Sequence, residues 1–185
     1  PISKELIGHT DWLLPVSGRL NGRGLDVSPE LARVAAMVQA DGNIVPNSEH
    51  STAIQFGFKK LRKIERFRAL CAAAGLSYSE RVDGDFTKFY INHGQAPLAM
   101  FKYFGAWLLQ LSAAALDALV DEAAHWDSHV RGQSYLYASV LVDNARWLQT
   151  AAHLTGRSAK VYEVDNFKGW NTNPDATLFI CNVTR

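Results

Sequence analysis

Val34-Ala35-Ala36-Met37-Val38-Gln39-Ala40-Asp41-Gly42 is the stretch on which the reading of this chain turns. Upstream, Ser28 offers a hydroxyl to cap a helix and Pro29 suits its first position. Leu31, Val34, Ala35 and Val38 then recur at i, i+3, i+4 and i+7, the spacing of one helical face. The pattern predicts an amphipathic helix over Pro29–Ala40 that stops at Asp41-Gly42. A carboxylate then stands at the helix C-terminus, where the macrodipole is negative and disfavours an unpaired anion. A cation is therefore expected beside Asp41. Taken alone, an Asp-Gly pair after a helix reads as a turn.

The segments that follow are ordered. Asn43–Val45, a polar loop over 46–51 and Thr52–Lys60 read as a hairpin, with Ile54, Phe56 and Phe58 on one face and Gln55, Gly57 and Lys59 on the other. Arg62–Ala74 reads as a helix closed by Gly75. Ser77–His93 returns to strands around a turn at Asp83-Gly84, where Phe89 and Ile91 alternate with Lys88, Tyr90 and Asn92. Gln95–Phe104 looks like a short helix leading into Trp107, Leu108 and Leu109.

The same order then repeats. Ser112 caps a second helix carrying Leu116, Leu119, Val120 and Ala123, which runs toward His125-Trp126-Asp127-Ser128. A strand over Ser134–Ser139, a helix over Asn144–Gly156 and strands over Ala159–Val164 and Thr177–Val183 complete it. Two helix-first units of this kind bury their apolar faces by packing their first helices together. Ala35 and Ala36 in one, and Ala115, Ala118 or Ala123 in the other, permit close approach. The expected organisation is an irregular leader over 1–26, a first repeat over 27–105 and a second over 106–185, in an α+β fold.

Composition bounds the function. The chain has 185 residues, 48% hydrophobic and 20% charged, typical of a globular protein with a sizeable core. Its most apolar stretch, Gly105–Val120, is broken by Gln110, Ser112 and Asp117, so no membrane span is expected. Cys71 and Cys181 lack a disulfide framework and read as free thiols in a reducing, intracellular compartment. The net charge of +1 is low for a nucleic-acid binder. Its distribution is uneven, however: Lys59, Lys60, Arg62, Lys63, Arg66 and Arg68 stand against Glu65 alone, enough for a phosphate-facing patch or a salt-bridged helix face.

VAAMVQADG resembles the signature of the LAGLIDADG homing endonucleases, and the succession IQFGFKK, LRKIERFRALCAAAG resembles the strand, basic turn, helix and glycine that follow it in that family. Farther on, YLYASVLVDNARWLQTAAHLTGR resembles the matching part of endonuclease domains carried in inteins, often those of phages. The resemblance implies two pseudo-symmetric αββαββ repeats packed through their signature helices, with the β-sheets forming a saddle over double-stranded DNA. It implies a site-specific, metal-dependent endonuclease that cuts both strands as a monomer, in the cytoplasm of a bacterial or phage-infected cell, and it allows excision from an intein.

On this resemblance Asp41 and Asp127 hold Mg²⁺ or Mn²⁺ at the scissile phosphates, and Lys102 and Lys168 are catalytic lysines at the pocket edge. The second signature departs from the pattern, His125-Trp126-Asp127-Ser128 replacing Ala-Asp-Gly, so Glu122 and Asp121 are alternative acids. If none of these reaches a phosphate, the protein is a catalytically degenerate DNA-binding protein on the same fold. Recognition falls to outward strand residues: Gln55 and Lys59 for bases, Lys60, Arg62 and Lys63 for phosphates, then Lys88, Tyr90, Asn92, Lys160 and Tyr162.

Overall fold

Ser28 starts the first helix as its residue type dictates, the hydroxyl accepting the Leu31 N–H at 3.2 Å. In the computed structural model, which describes residues 25–48, 51–95, 98–164 and 177–184, helix α1 spans Pro29–Asp41. Its buried surface is wider than the predicted stripe: Ala32, Val34, Ala35, Ala36, Met37 and Val38 are all inaccessible, so the helix lies inside the molecule. The chain leaves it at Gly42, whose N–H caps the Val38 carbonyl at 3.0 Å. Here glycine serves close approach, because a Cβ at this position would stand 2.6 Å from the Val38 oxygen.

From there β1 (Asn43–Ser48) pairs antiparallel with β2 (Ser51–Phe58). Helix α2 (Leu61–Ala73) follows, then β3 (Ser79–Asp83) and β4 (Phe86–Asn92). Short 3₁₀ turns at His93–Gln95 and Leu98–Lys102 stand where a helix is expected over Gln95–Phe104, and a third spans Ala106–Gln110. The second half runs α3 (Ala113–Ala123), β5 (Ser128–Arg131), β6 (Ser134–Ser139), α4 (Val142–Leu154), β7 (Ser158–Val164) and β8 (Leu178–Thr184). Ser112 caps α3 as predicted, accepting the Ala115 N–H at 3.2 Å. Strand β5, too short to show alternation, is an addition to the sequence reading.

The two halves share one local grammar. Each sheet has four antiparallel strands in equivalent orders, β1-β2-β4-β3 and β5-β6-β8-β7. Helices α2 and α4 end alike. The Leu76 N–H reaches the Cys71 carbonyl and the Arg157 N–H reaches the Ala152 carbonyl, both at 2.9 Å, around Gly75 and Gly156 at φ +66° and +81°. Helix α1 packs directly on α3, α2 on α1, and α4 on α3 and the second sheet. Ala115, Ala118 and Ala123 of α3 are buried as the predicted contact requires.

Register decides which side chains face the helices. In the first sheet Ile54 pairs with Ile91 and Phe56 with Phe89, all buried, while Phe67 of α2 stacks on Phe89 at 4.1 Å between ring centroids. Tyr135, Tyr137, Cys181 and Val183 play the same part in the second. Cys71 and Cys181 are free and buried, and that burial pushes both thiols up to about 12. Among the described residues no helix is long and apolar enough to cross a membrane.

Candidate nucleic-acid and metal site

The cation required beside Asp41 is Lys63. It lies in the first turn of α2 and donates to Asp41 Oδ2 at 2.5 Å, which answers the unfavourable end of the α1 dipole. The same ammonium is 3.9 Å from Asp127 Oδ1. One lysine thus bridges the acids of the two halves. It also lies over the rings of Phe58 and Trp126, 5.9 and 5.6 Å from their centroids, and its side chain is only 14% exposed.

The acids reach this point differently. Asp41 is the last residue of α1, whereas α3 ends at Ala123 and Asp127 stands beyond it, immediately before β5. The intervening turn is pinned from several sides. Ser128 Oγ donates to the Ala123 carbonyl at 2.8 Å, the Ala138 N–H to the Asp127 carbonyl at 3.0 Å, and Arg62 to the His125 carbonyl at 3.0 Å. Desolvation by the surrounding protein raises the Asp127 carboxyl above the usual range, and the Asp41 charge adds to it, against Lys63 and Lys102.

Lys102 belongs to the same cluster, as expected for a residue at the pocket edge. Its ammonium donates to the Gln39 carbonyl at 3.1 Å. Burial lowers its pKa, opposed by the nearby charges of Asp127 and Asp41. Sequence reasoning passed over Gln39, which is 6% exposed and accepts the Tyr137 hydroxyl at 3.0 Å, tying α1 to the second sheet. Its signal was a polar residue on an apolar helix face. Burial pushes the Tyr137 hydroxyl far above its usual range. Lys168 lies outside the described residues, as does nearly all of the leader predicted over 1–26.

Glu122 is not an alternative acid for the cleft. Its carboxylate is fully buried, accepts Arg66 Nε at 2.5 Å and Nη2 at 2.7 Å, accepts Trp126 Nε1 at 2.8 Å, and has Arg33 at 3.6 Å. It clamps α1, α2 and α3 together. Trp126, bulky for a close helix contact, lies past the helix end, where Phe58 packs on it at 5.8 Å. Asp121 is engaged by Arg157, which also holds Asp117. The predicted basic patch is accordingly smaller than the sequence count. Arg66 is committed to Glu122 and Arg68 to Glu80, whose hydrogen bonds raise the Arg68 pKa.

Lys60, Arg62, Lys63, Lys102 and Asp127 line a cleft of about 700 Å³, and Asp41 adjoins it through Lys63. Tyr103, Val140 and Leu141 also line it. Of the strand candidates, Gln55 and Tyr90 are register partners and hydrogen-bond each other at 3.1 Å. Lys88 and Asn92 share their face, opposite to buried Phe89 and Ile91. Lys59 pairs with Asp85 at 3.2 Å and lies over Phe86, and Lys88 pairs with Asp83. Lys160 and Tyr162 alternate on β7 with the half-buried Ala159 and Val161. Lys60, Arg62 and Lys63 belong to the cleft instead of a strand face.

No protein-family model and no curated protein matches the sequence. Solved structures do match its shape. A mesophilic variant of the homing endonuclease I-DmoI superimposes with a TM-score of 0.61 over 84% of this chain and 88% of its own, at 7% identity. The chain has the LAGLIDADG fold. I-DmoI in complex with DNA and Mn gives a TM-score of 0.58 over 86% and 91%, at 10% identity. The N-terminal LAGLIDADG domain of DUF199/WhiA gives 0.51 over 82% and 76%, also at 10%.

Whether a divalent ion suits this LAGLIDADG cleft is a question of donor chemistry. Two carboxylates from different halves converge on one ammonium, an arrangement of hard oxygen donors already partly compensated by a cation. Among the described residues no group of three or more His, Cys, Asp and Glu could hold a metal. That set fits Mg²⁺ or Mn²⁺, which bind through one or two carboxylates and complete their shells with water and phosphate.

Proposed function

We propose that the protein is a site-specific double-stranded DNA endonuclease of the homing type, acting with Mg²⁺ or Mn²⁺ held by Asp41 and Asp127. The observation that carries this reading is the convergence of those two acids, with Lys63 and Lys102, at one cleft. A bound divalent ion would polarise the scissile phosphate and lower the pKa of an attacking water. Lys102, partly desolvated and close to both acids, would donate to a phosphate oxygen or steer the water. Lys60 and Arg62 at the cleft wall would grip the backbone, while Gln55, Lys88, Tyr90, Asn92, Lys160 and Tyr162 would face base edges along the two sheets. With both acids on one chain, a monomer would cut both strands. Origin as an intein endonuclease domain and action in the cytoplasm belong to the same proposal.

A second reading, DNA binding without cleavage, draws on the asymmetry of the acids, since Asp127 stands beyond its helix where Asp41 ends its own. Cleavage of a supercoiled plasmid library by wild type, Asp41→Asn and Asp127→Asn, in Mg²⁺ and in Ca²⁺, separates the two. Linear product from wild type in Mg²⁺, lost or reduced to nicking in each variant, supports the endonuclease. Bound but uncut plasmid throughout, from a library containing the target, supports the binding protein.

A further inference from the structure

Lys63 is an unusual neighbour for a metal site. It is a largely buried ammonium, seated on two aromatic rings and in contact with one acid while 3.9 Å from the other. A divalent ion needs the same two carboxylates in the same ionised form. Ammonium and ion therefore compete for one pair of anions, and the ammonium is tethered while the ion is not. Lys63 also lies in the first turn of α2, beside Lys60 and Arg62 on the cleft wall, so a DNA phosphate docking there meets it directly.

We propose that Lys63 is a built-in competitor of the divalent ion. It occupies Asp41 and screens Asp127 while the protein is free of nucleic acid, and releases them when a backbone phosphate takes over the ammonium. The inference rests on the Asp41–Asp127 metal site proposed above. Its consequence is that the protein off DNA binds metal weakly, and the site assembles only where phosphate is present.

Mn²⁺ binding to the DNA-free protein, followed by electron paramagnetic resonance, tests this without any cleavage. Lys63→Met is expected to bind Mn²⁺ about tenfold or more tightly than wild type. Arg68→Met removes a charge from the same helix that Glu80 holds away from the cleft, and is expected to change affinity less than about threefold. Asp41→Asn added to Lys63→Met is expected to abolish the gain. Lys63→Gln, checked by near-ultraviolet circular dichroism, serves if the methionine variant folds poorly. Adding random-sequence duplex at low salt should narrow the gap between wild type and Lys63→Met, with Asp41→Asn reporting the Mn²⁺ that DNA itself holds.

Equal, Asp41-dependent affinities in wild type and Lys63→Met would overturn the competition while leaving the metal site standing. A gap that persists with duplex present would overturn the release step. Absence of Asp41-dependent binding in every protein would remove the metal site and the competitor with it.

Discussion

Replacing Glu122 by Gln removes the charge from the most enclosed acid among the described residues while keeping its volume. The carboxylate has no exposed surface and takes two N–H groups from Arg66 and one from Trp126. Breaking a buried ion pair from one side costs about 3–5 kcal/mol, because the partner is left charged and unpaired. Arg66 keeps 32% of its side chain in solvent and Arg33 39%, so part of that cost returns as hydration, and about 2–3 kcal/mol is expected. For a chain of this length the melting midpoint then falls by about 4–12 °C. Urea denaturation of wild type, Glu122→Gln, Arg66→Met and the double variant gives the cycle. The double variant should lose at least about 1 kcal/mol less than the sum of the singles. A single-variant loss under about 0.5 kcal/mol, or a coupling near zero, would refute the clamp. The folded variant should also keep wild-type Mn²⁺ affinity, since Glu122 does not reach the cleft.

Other perturbations follow from the same geometry. Asp127 has a raised carboxyl pKa, so its protonated form is the one folding favours; that contribution is complete below the ordinary Asp range and lost as pH rises through the raised value. Asp127→Asn should therefore raise the thermal midpoint of the metal-free protein at neutral pH while abolishing cleavage, and an unchanged or lower midpoint would contradict the assignment. Gly42→Ala drives a methyl into the Val38 carbonyl and should cost about 1–3 kcal/mol by urea denaturation. Affinity for duplex DNA should fall with salt, and Lys60→Gln should flatten the log–log slope by about one unit in a titration from low to moderate salt.

What could be read in the sequence was whatever is settled within a few residues. Ser28 and Ser112 announce their helices because an N-cap bonds a backbone group three residues on. Gly75 and Gly156 announce helix ends because only glycine takes their backbone angles cheaply. Even the need for a cation at Asp41 was legible, since it follows from the dipole of one helix. That the cation is Lys63 was not, because it arrives from another helix, and the sequence offered it as one of six equal basic residues. Glu122 looked like a spare catalytic acid for the same reason: its partners Arg33 and Arg66 come from two other helices. The helix expected over Gln95–Phe104 failed because its sequence contains Pro97, which lacks an N–H for the α-helical ladder, and Leu98–Lys102 forms a 3₁₀ turn instead.

The connections from β2 to α2 and from β6 to α4 are equally long, so Asn144 occupies in the second half the place that Lys63 has in the first. Asn144 is buried and accepts the Phe104 N–H, and the residues before it, Val140-Leu141-Val142-Asp143, stand where Lys59-Lys60-Leu61-Arg62 stand in the other half. The order of elements thus repeats from one half to the other while the chemistry does not. The cleft is cationic where the first half lines it, at Lys60, Arg62 and Lys63, and oily where the second supplies Val140 and Leu141, which gives the molecule a compass. A duplex lying across it could be told which way it points even where its sequence reads the same in both directions.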